Sequence, residues 1–165
     1  MATKLKFKPL KEQTLVITGA SSGIGLLTAQ LAAAQGARVV LAARNQAELQ
    51  RIEAELRAQG GQVVAVAADV ASQADVERIA ETAFEHFGGF DTWVNDAGVS
   101  IWGRLEQGRD EDHRRLFDTN YWGVVYGSLA AVRYLKNRGG TLINVGSVAS
   151  DVAFPLQGMS CASKH

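Results

Sequence analysis

The residues best suited by type and spacing to do chemistry are gathered in Thr18-Gly19-Ala20-Ser21-Ser22-Gly23-Ile24-Gly25. Glycines at 19, 23 and 25 strip side chains from a turn, so an anion can approach bare backbone N–H groups. The helix expected to begin near Ser22 adds the positive end of its dipole, which makes Gly19, Ser21, Ser22, Gly23, Ile24 and Gly25 a candidate pyrophosphate cradle. Alone, such a turn is a weak signal, because a tight strand-to-helix connection without a ligand has the same pattern. Further on, Arg44 follows Ala43 at the place where a dinucleotide site selecting NAD carries a carboxylate, roughly 20 residues past the glycines. A guanidinium there suits a 2′-phosphate, so NADP(H) is expected rather than NAD, and an S-adenosylmethionine methyltransferase is disfavoured. The alternative is that Arg44 only lies along the helix starting at Asn45.

These groups need a scaffold, and the hydrophobic pattern supplies one. Apolar β-rich runs at 14–18, 38–43, 62–67, 90–95 and 141–146 alternate with helical patterns. The first helix, 23–35, carries Ile24, Leu27, Leu31 and Ala34 at helical spacing and ends at Gly36. The second starts from Asn45 with Glu48 in capping-box position and runs to Gly60-Gly61. The third runs from Ser72 to Phe87 with Val76, Ile79, Ala80 and Ala83 on one face. A long helix is expected over 111–137, stopped by Gly139-Gly140, and another from Gly158 to His165. Strands this uniformly apolar predict a parallel sheet covered on both faces, a doubly wound α/β (Rossmann-type) fold whose ligands lie beyond the carboxyl ends of the strands. Asp69-Val70 and Asn95-Asp96-Ala97-Gly98 close the third and fourth strands on that edge. Asp69, Val70, Asn95, Ala97 and Gly98 are therefore candidates for the adenine and for the nicotinamide-side ribose. Residues 1–13, with Lys4, Lys6, Lys8 and Lys11, read as a basic tail or short edge strand, and 14–165 as the dinucleotide-binding domain. Five strands leave an open edge, so the C-terminal part of the fold is expected to be absent, as if a longer protein had been cut.

With Gly-x3-Gly-x-Gly in the first βα unit, Asn95-Asp96-Ala97-Gly98 after the fourth strand, Asn120 in the long helix, Ser147 after the fifth and Lys164, the chain resembles the short-chain dehydrogenases/reductases from residue 18 to 164. The resemblance implies an oxidoreductase that moves a hydride between NADP(H) and an alcohol or ketone. It implies that Ser147 holds the substrate oxygen, that Lys164 binds the nicotinamide ribose and that Asn120 holds a water linking the lysine to solvent. It also implies assembly into homodimers or homotetramers through the long helix and the one beginning near 156. Two departures stand out. Asp96 puts a carboxyl where the family has an amide, and Ser160 stands four residues before Lys164 where the family has its acid/base tyrosine. Ser160 is both too short and too weakly acidic to replace a phenol, whose ordinary pKa is ~10, so the chain as given is expected to be impaired. The serine is either an engineered exchange or a natural or mistaken departure. The rivals are a cofactor-binding module without turnover and a purely structural subunit.

The remaining totals fit an ordinary globule. Hydrophobic residues make up 47% of the 165, Lys+Arg and Asp+Glu number 17 each, and no polyanion-seeking excess of charge points to nucleic acid. No run approaches the ~18 apolar residues of a membrane span. The lone Cys161 and the absence of metal-ligand spacing favour a reducing, cytoplasmic setting without a metal. Cys161 lies three residues before Lys164 and reads as a small buried residue, while His86, His113 and His165 read as surface residues.

Overall fold

The computed structural model describes residues 8–165, so Lys4 and Lys6 of the expected basic tail lie outside the described residues. Five parallel strands, β1 (Thr14–Thr18), β2 (Arg38–Ala43), β3 (Gln62–Ala67), β4 (Thr92–Asn95) and β5 (Thr141–Asn144), form one sheet in the order β3-β2-β1-β4-β5. β1 pairs with β2 on one side (Thr18 opposite Ala42) and with β4 on the other (Ile17 opposite Val94). The order reverses between β1 and β4, so the chain leaves these two strands in opposite directions and a crevice opens between the turns that follow them. The fold is the expected doubly wound one. The fourth and fifth strands are shorter than expected, however: β4 begins after Asp91 and β5 ends before Val145, although the N–H groups of both still bond the neighbouring strands.

Helices α1 (Gly23–Ala34) and α2 (Gln46–Ala58) cover one face, where Ala29, Ala32, Ala33, Leu49, Ile52 and Leu56 pack on Leu15, Ile17, Val39, Leu41 and Val94. Fully burying Leu49 or Ile52 contributes about 1.5–3 kcal/mol each. Helix α3 (Gln73–Phe87) and the later helix α5 (Gly123–Leu135) cover the other face, with Val76, Ile79, Ala80, Ala83, Ala130 and Ala131 against Val16, Val40, Val64 and Trp93. Caps fix where α2 and α3 start: Asn45 Oδ1 accepts from the Glu48 N–H at 3.1 Å, and Ser72 Oγ from the Asp75 N–H at 3.3 Å. The reciprocal half of the capping box is missing, because the Glu48 carboxylate pairs with Arg51 instead.

The helices form where they are expected, with two features that their spacing does not show. The stripe Ile24, Leu27 and Leu31 faces outward, each more than half exposed, and α1 meets the sheet through Gly25, Ala29, Ala32 and Ala33. Small residues on that side let the helix axis approach the strands, which larger ones would hold off. The helix expected over 111–137 is broken: α4 (Asp110–Phe117) passes through a π-helical turn, Asp118–Trp122, into α5. The wide turn buries both Thr119 and Asn120, and such turns recur where a helix must aim a side chain at a site. The chain ends in a short helix, α6 (Gly158–Lys164). Among the described residues no helix is long and apolar enough to cross a membrane, and no three His, Cys, Asp or Glu side chains cluster as metal ligands.

Candidate functional site

A cleft of about 650 Å³ lies over the crevice between β1 and β4, lined by the 19–24 turn, Ala43 to Asn45, Ala68 to Val70, Asp96 to Val99 and Thr119. That volume is in the range of small-molecule sites. The β1 turn is laced to the end of β4 by Thr18, a buried residue whose hydroxyl accepts from the N–H groups of Asp96 (3.1 Å) and Ala97 (3.2 Å) and donates to the Val94 carbonyl (3.3 Å). Gly19 sits in the left-handed region at φ 72°, and a Cβ there would stand 2.8 Å from Ala97 N. Such closeness of turn and strand end is what a cradle for a flat, extended anion requires. Ser22 begins α1 without a side-chain cap bond. The Asp96 carboxylate lies against Gly25 in the helix's first turn, 2.7 Å from where a Cβ there would stand.

Of the residues expected to bind cofactor, Gly19, Ser21, Ser22, Gly23, Ile24, Arg44, Asp69, Val70, Ala97 and Gly98 line this cleft. Arg44 is exposed at its mouth, with no ion-pair partner among the described residues. The Asp69 carboxylate is paired with Arg115 at 2.7 Å and accepts from the Ala71 N–H at 3.0 Å, which fixes the loop after β3. Gly25 is buried behind the turn, outside the lining. Asn95 is not brought to the cleft. Its side chain turns into the protein, accepting from Trp93 Nε1 at 2.8 Å and donating to Asn144 Oδ1 at 2.8 Å and Ser128 Oγ at 3.3 Å. Sequence reasoning put this amide at a ligand because strand-end polar residues look alike; here a buried amide fastens β4 to β5 and to α5.

Asn120 and α6 form the second part of the site. Asn120 Oδ1 accepts from the Val99 N–H, and Nδ2 donates to the Val99 carbonyl and to Ser163 Oγ, each at 2.9 Å. Both amide protons are spent on the protein, so the side chain clamps the loop after β4 to α6. Asn120→Ala should therefore speed hydrogen exchange at the Val99 amide by roughly five-fold or more, since each bond contributes ~1 kcal/mol; unchanged exchange would show that the clamp carries no weight. Ser163 and Thr119 escaped sequence reasoning, because nothing about a lone hydroxyl marks it until its neighbours are known.

Lys164 Nζ reaches the Val145 carbonyl at 3.4 Å. Burial pulls its pKa below the ordinary lysine value, and the nearby Asp96 charge opposes this. Asp96 is the mirror case: burial pushes its carboxyl above the ordinary value, against the Gly25 N–H and the Lys164 charge. An acid whose folded pKa is raised lends stability below its unfolded value, ~3.9, and loses that contribution as pH rises through the folded value. Asp96→Asn keeps the acceptor and removes the charge. It should raise the melting midpoint at pH 7–8 by roughly 1–3 °C, the shift expected from under ~1 kcal/mol in a domain of this size. The gain should shrink toward pH 4, and a midpoint lowered at every pH would refute it.

Ser147 is exposed at the end of β5, where its hydroxyl accepts from the Ala149 N–H at 3.1 Å. Ser160 lies one turn before Lys164 on α6, yet it is only 4% exposed. Its hydroxyl is 3.1 Å from Ser100 Oγ, accepts from the Ile101 N–H at 3.0 Å and donates to the Ile101 carbonyl at 3.2 Å. It ties a loop and does not face the cleft. Cys161 is half-buried, its thiol 3.8 Å from the Val152 carbonyl.

Known proteins resemble this chain in sequence and fold. Residues 13–165 match the family described as short chain dehydrogenase. An uncharacterised oxidoreductase of Bacillus subtilis, YxnA, is 52% identical over 98% of this chain and 46% of its own length, and another from Staphylococcus saprophyticus is 36% identical over 94% and 63%. Among solved structures, a short chain dehydrogenase/reductase from Burkholderia phymatum in complex with NAD superposes with a TM-score of 0.93 at 34% identity, covering 96% of this chain and 57% of that one. An alcohol dehydrogenase from Thermococcus sibiricus complexed with 5-hydroxy-NADP gives 0.87 at 33% identity, over 92% and 65%. The chain thus spans about half to two thirds of the length of these relatives.

Proposed function

Because this chain belongs to the short-chain dehydrogenase family, we propose that it forms the cofactor-binding and catalytic half of an NADP(H)-dependent oxidoreductase acting on alcohols and ketones. The observation that carries the cofactor choice is Arg44, a guanidinium without an ion-pair partner among the described residues, at the mouth of a cleft that is also lined by a glycine turn. The residues fit such a group: Gly19, Ser21, Ser22, Gly23 and Ile24 would hold the pyrophosphate, Arg44 the 2′-phosphate, Asp69 and Val70 the adenine, and Lys164 the far ribose. When bound, the nicotinamide supplies or accepts the hydride. The chain's own part is to orient and to manage charge. Ser147, exposed after β5, donates a hydrogen bond to the substrate oxygen, and Lys164, half-buried behind Gly98, presents a cation whose field favours an oxyanion.

Calorimetry should find NADPH bound more tightly than NADH, and Arg44→Ala should cost NADPH about ten-fold or more in affinity with NADH unaffected, since a charge-assisted bond to phosphate contributes roughly 1.5–3 kcal/mol. NADH bound as tightly as NADPH would overturn the cofactor choice. Tyr121, Trp122, Leu129 and Val132 are exposed on the π-turn and α5 and supply the apolar surface for self-association into dimers or tetramers; sedimentation showing only monomer would remove that part. A second reading, binding without turnover, is favoured by one fact: the acid/base position holds a serine that faces away from the cleft.

A further inference from the structure

Three of the residues lining the cleft carry charge: Arg44, Asp69 and Asp96. Arg44 suits a phosphate, and Asp69 is neutralised by Arg115 at 2.7 Å. Asp96 has no ion-pair partner among the described residues. It is half-buried, and its place is fixed from both sides. Its N–H donates to Thr18 Oγ1 at 3.1 Å, and its carbonyl carbon would stand 3.1 Å from a Cβ at Gly19. Its carboxylate lies against Gly25, with Oδ2 2.7 Å from where a Cβ there would be. Gly25 belongs to the first turn of α1, so a negative group already sits where the helix presents its positive end. An amide, which the resemblance to the short-chain dehydrogenases implies at this place, would add no charge.

The pyrophosphate of a dinucleotide held by Gly19 to Ile24 would approach the same helix start. Two anions at one helix end repel, and on a half-buried wall the repulsion is screened less than in water. The elements packed against Asp96 offer it little compensation. β1, the turn after it and α1 present Thr18, Gly19 and Gly25, none of them charged. From α6 the Lys164 cation acts on it through space, and His165, next in the chain, is exposed. Burial pushes the carboxyl above its ordinary value, so a further push from a bound anion moves its titration toward neutral pH.

On the cofactor reading given above, we propose that Asp96 sets cofactor affinity by its charge: the pyrophosphate binds at full strength only when the Asp96 carboxyl is protonated, and binding therefore takes up a proton. The proton comes from solvent and rests on a carboxylate oxygen of Asp96. The bound anion raises the carboxyl's pKa above its value in the free chain. Affinity is thus full below the free-chain value, falls as pH rises between the two values and is level above both.

The test is calorimetry with NADP+ at pH 5, 6, 7 and 8, on the parent and on Asp96→Asn. Each titration is run in two buffers of different ionisation enthalpy, which gives the affinity and the number of protons taken up. The 2′-phosphate of the cofactor titrates in this range as well, but equally in both proteins, so the ratio of their affinities isolates Asp96. The variant's advantage should be a few-fold at most at pH 5 and about ten-fold at pH 8, the size expected of one unit charge several ångströms from another on a partly screened wall. The parent should take up more protons than the variant where the ratio climbs. Asp96→Ser, smaller and also uncharged, should match Asp96→Asn. A residue that only shaped the turn would change affinity by the same factor at every pH. A ratio constant in pH, or equal proton uptake by parent and variants, overturns the proposal and leaves the cofactor reading standing. No heat with NADP+ in any of the three proteins overturns the cofactor reading, and the role of Asp96 falls with it.

Discussion

Exchanging Ser160 for tyrosine should raise ketone-dependent NADPH oxidation by roughly 10²–10⁴-fold, the usual contribution of one positioned acid or base, equivalent to about 3–5 kcal/mol of barrier. The serine cannot act as it stands. Its hydroxyl is buried and spent on Ser100 and Ile101. A phenol ring does not fit in that tie and must displace it, extending from the face of α6 that carries Lys164 one helical turn on. There the ammonium group pulls the phenol's pKa down from its ordinary ~10, so that it exchanges a proton near neutrality. The exchange removes the bonds to Ile101, so the same variant should melt slightly lower while gaining activity. Ser160→Phe separates the two effects, losing the tie without supplying a proton, and should stay inactive. A tyrosine variant no faster than the parent across bulky and small ketones, with NADPH still bound, would mean that the chain holds its cofactor without turning it over.

How far the sequence carried depended on whether a feature is local. β1, β2 and β3 stand where their β-branched runs put them, and Asn45 and Ser72 cap the helices they precede, because those signals involve neighbours a few residues apart. The strand order and the crevice at its reversal were legible because right-handed crossovers leave few alternatives. Three features were not. The π-turn at Asp118–Trp122 has no glycine or proline to announce it before Gly123, and the Asn120 it carries bonds Val99 and Ser163, which are distant in sequence. Helix α1 reads as a leucine-faced amphipath, yet its sheet-facing side is glycine and alanine, a choice made by distance of approach and not by hydrophobicity. Asn95 and Ser160 sit at ligand-facing positions of a motif while their side chains face inward, and only the partners Trp93, Asn144, Ser100 and Ile101 reveal it.

The glycine turn itself divides into two roles, and alanine at each position should separate them. Gly19→Ala places a Cβ 2.8 Å from Ala97 N and 2.9 Å from Ala97 Cα, both backbone atoms, in a conformation an L side chain rarely adopts. Gly25→Ala places one 2.6 Å from the Gly19 carbonyl oxygen and 2.7 Å from the Asp96 carboxylate. In both, the turn after β1 must part from the end of β4 or from its own helix, breaking the Thr18 lacing. Each should cost about 3 kcal/mol or more, overpacking against atoms that cannot yield, and lower the melting midpoint by roughly 10 °C. Gly23 differs: at φ 56° alanine is strained, but its Cβ meets nothing within 4 Å. Its cost in stability should be near ~1 kcal/mol, or about 2–4 °C. Because Gly23 lines the cleft and Gly25 does not, that same methyl group points into space the pyrophosphate would need. Gly23→Ala should therefore lose NADPH affinity by a far larger factor than its small drop in midpoint suggests, whereas in Gly19→Ala and Gly25→Ala affinity and stability fall together. Thermal melts paired with NADPH calorimetry on the three variants decide it. A Gly23→Ala protein that binds NADPH as well as the parent would show that the open side of the turn is not where the phosphates lie.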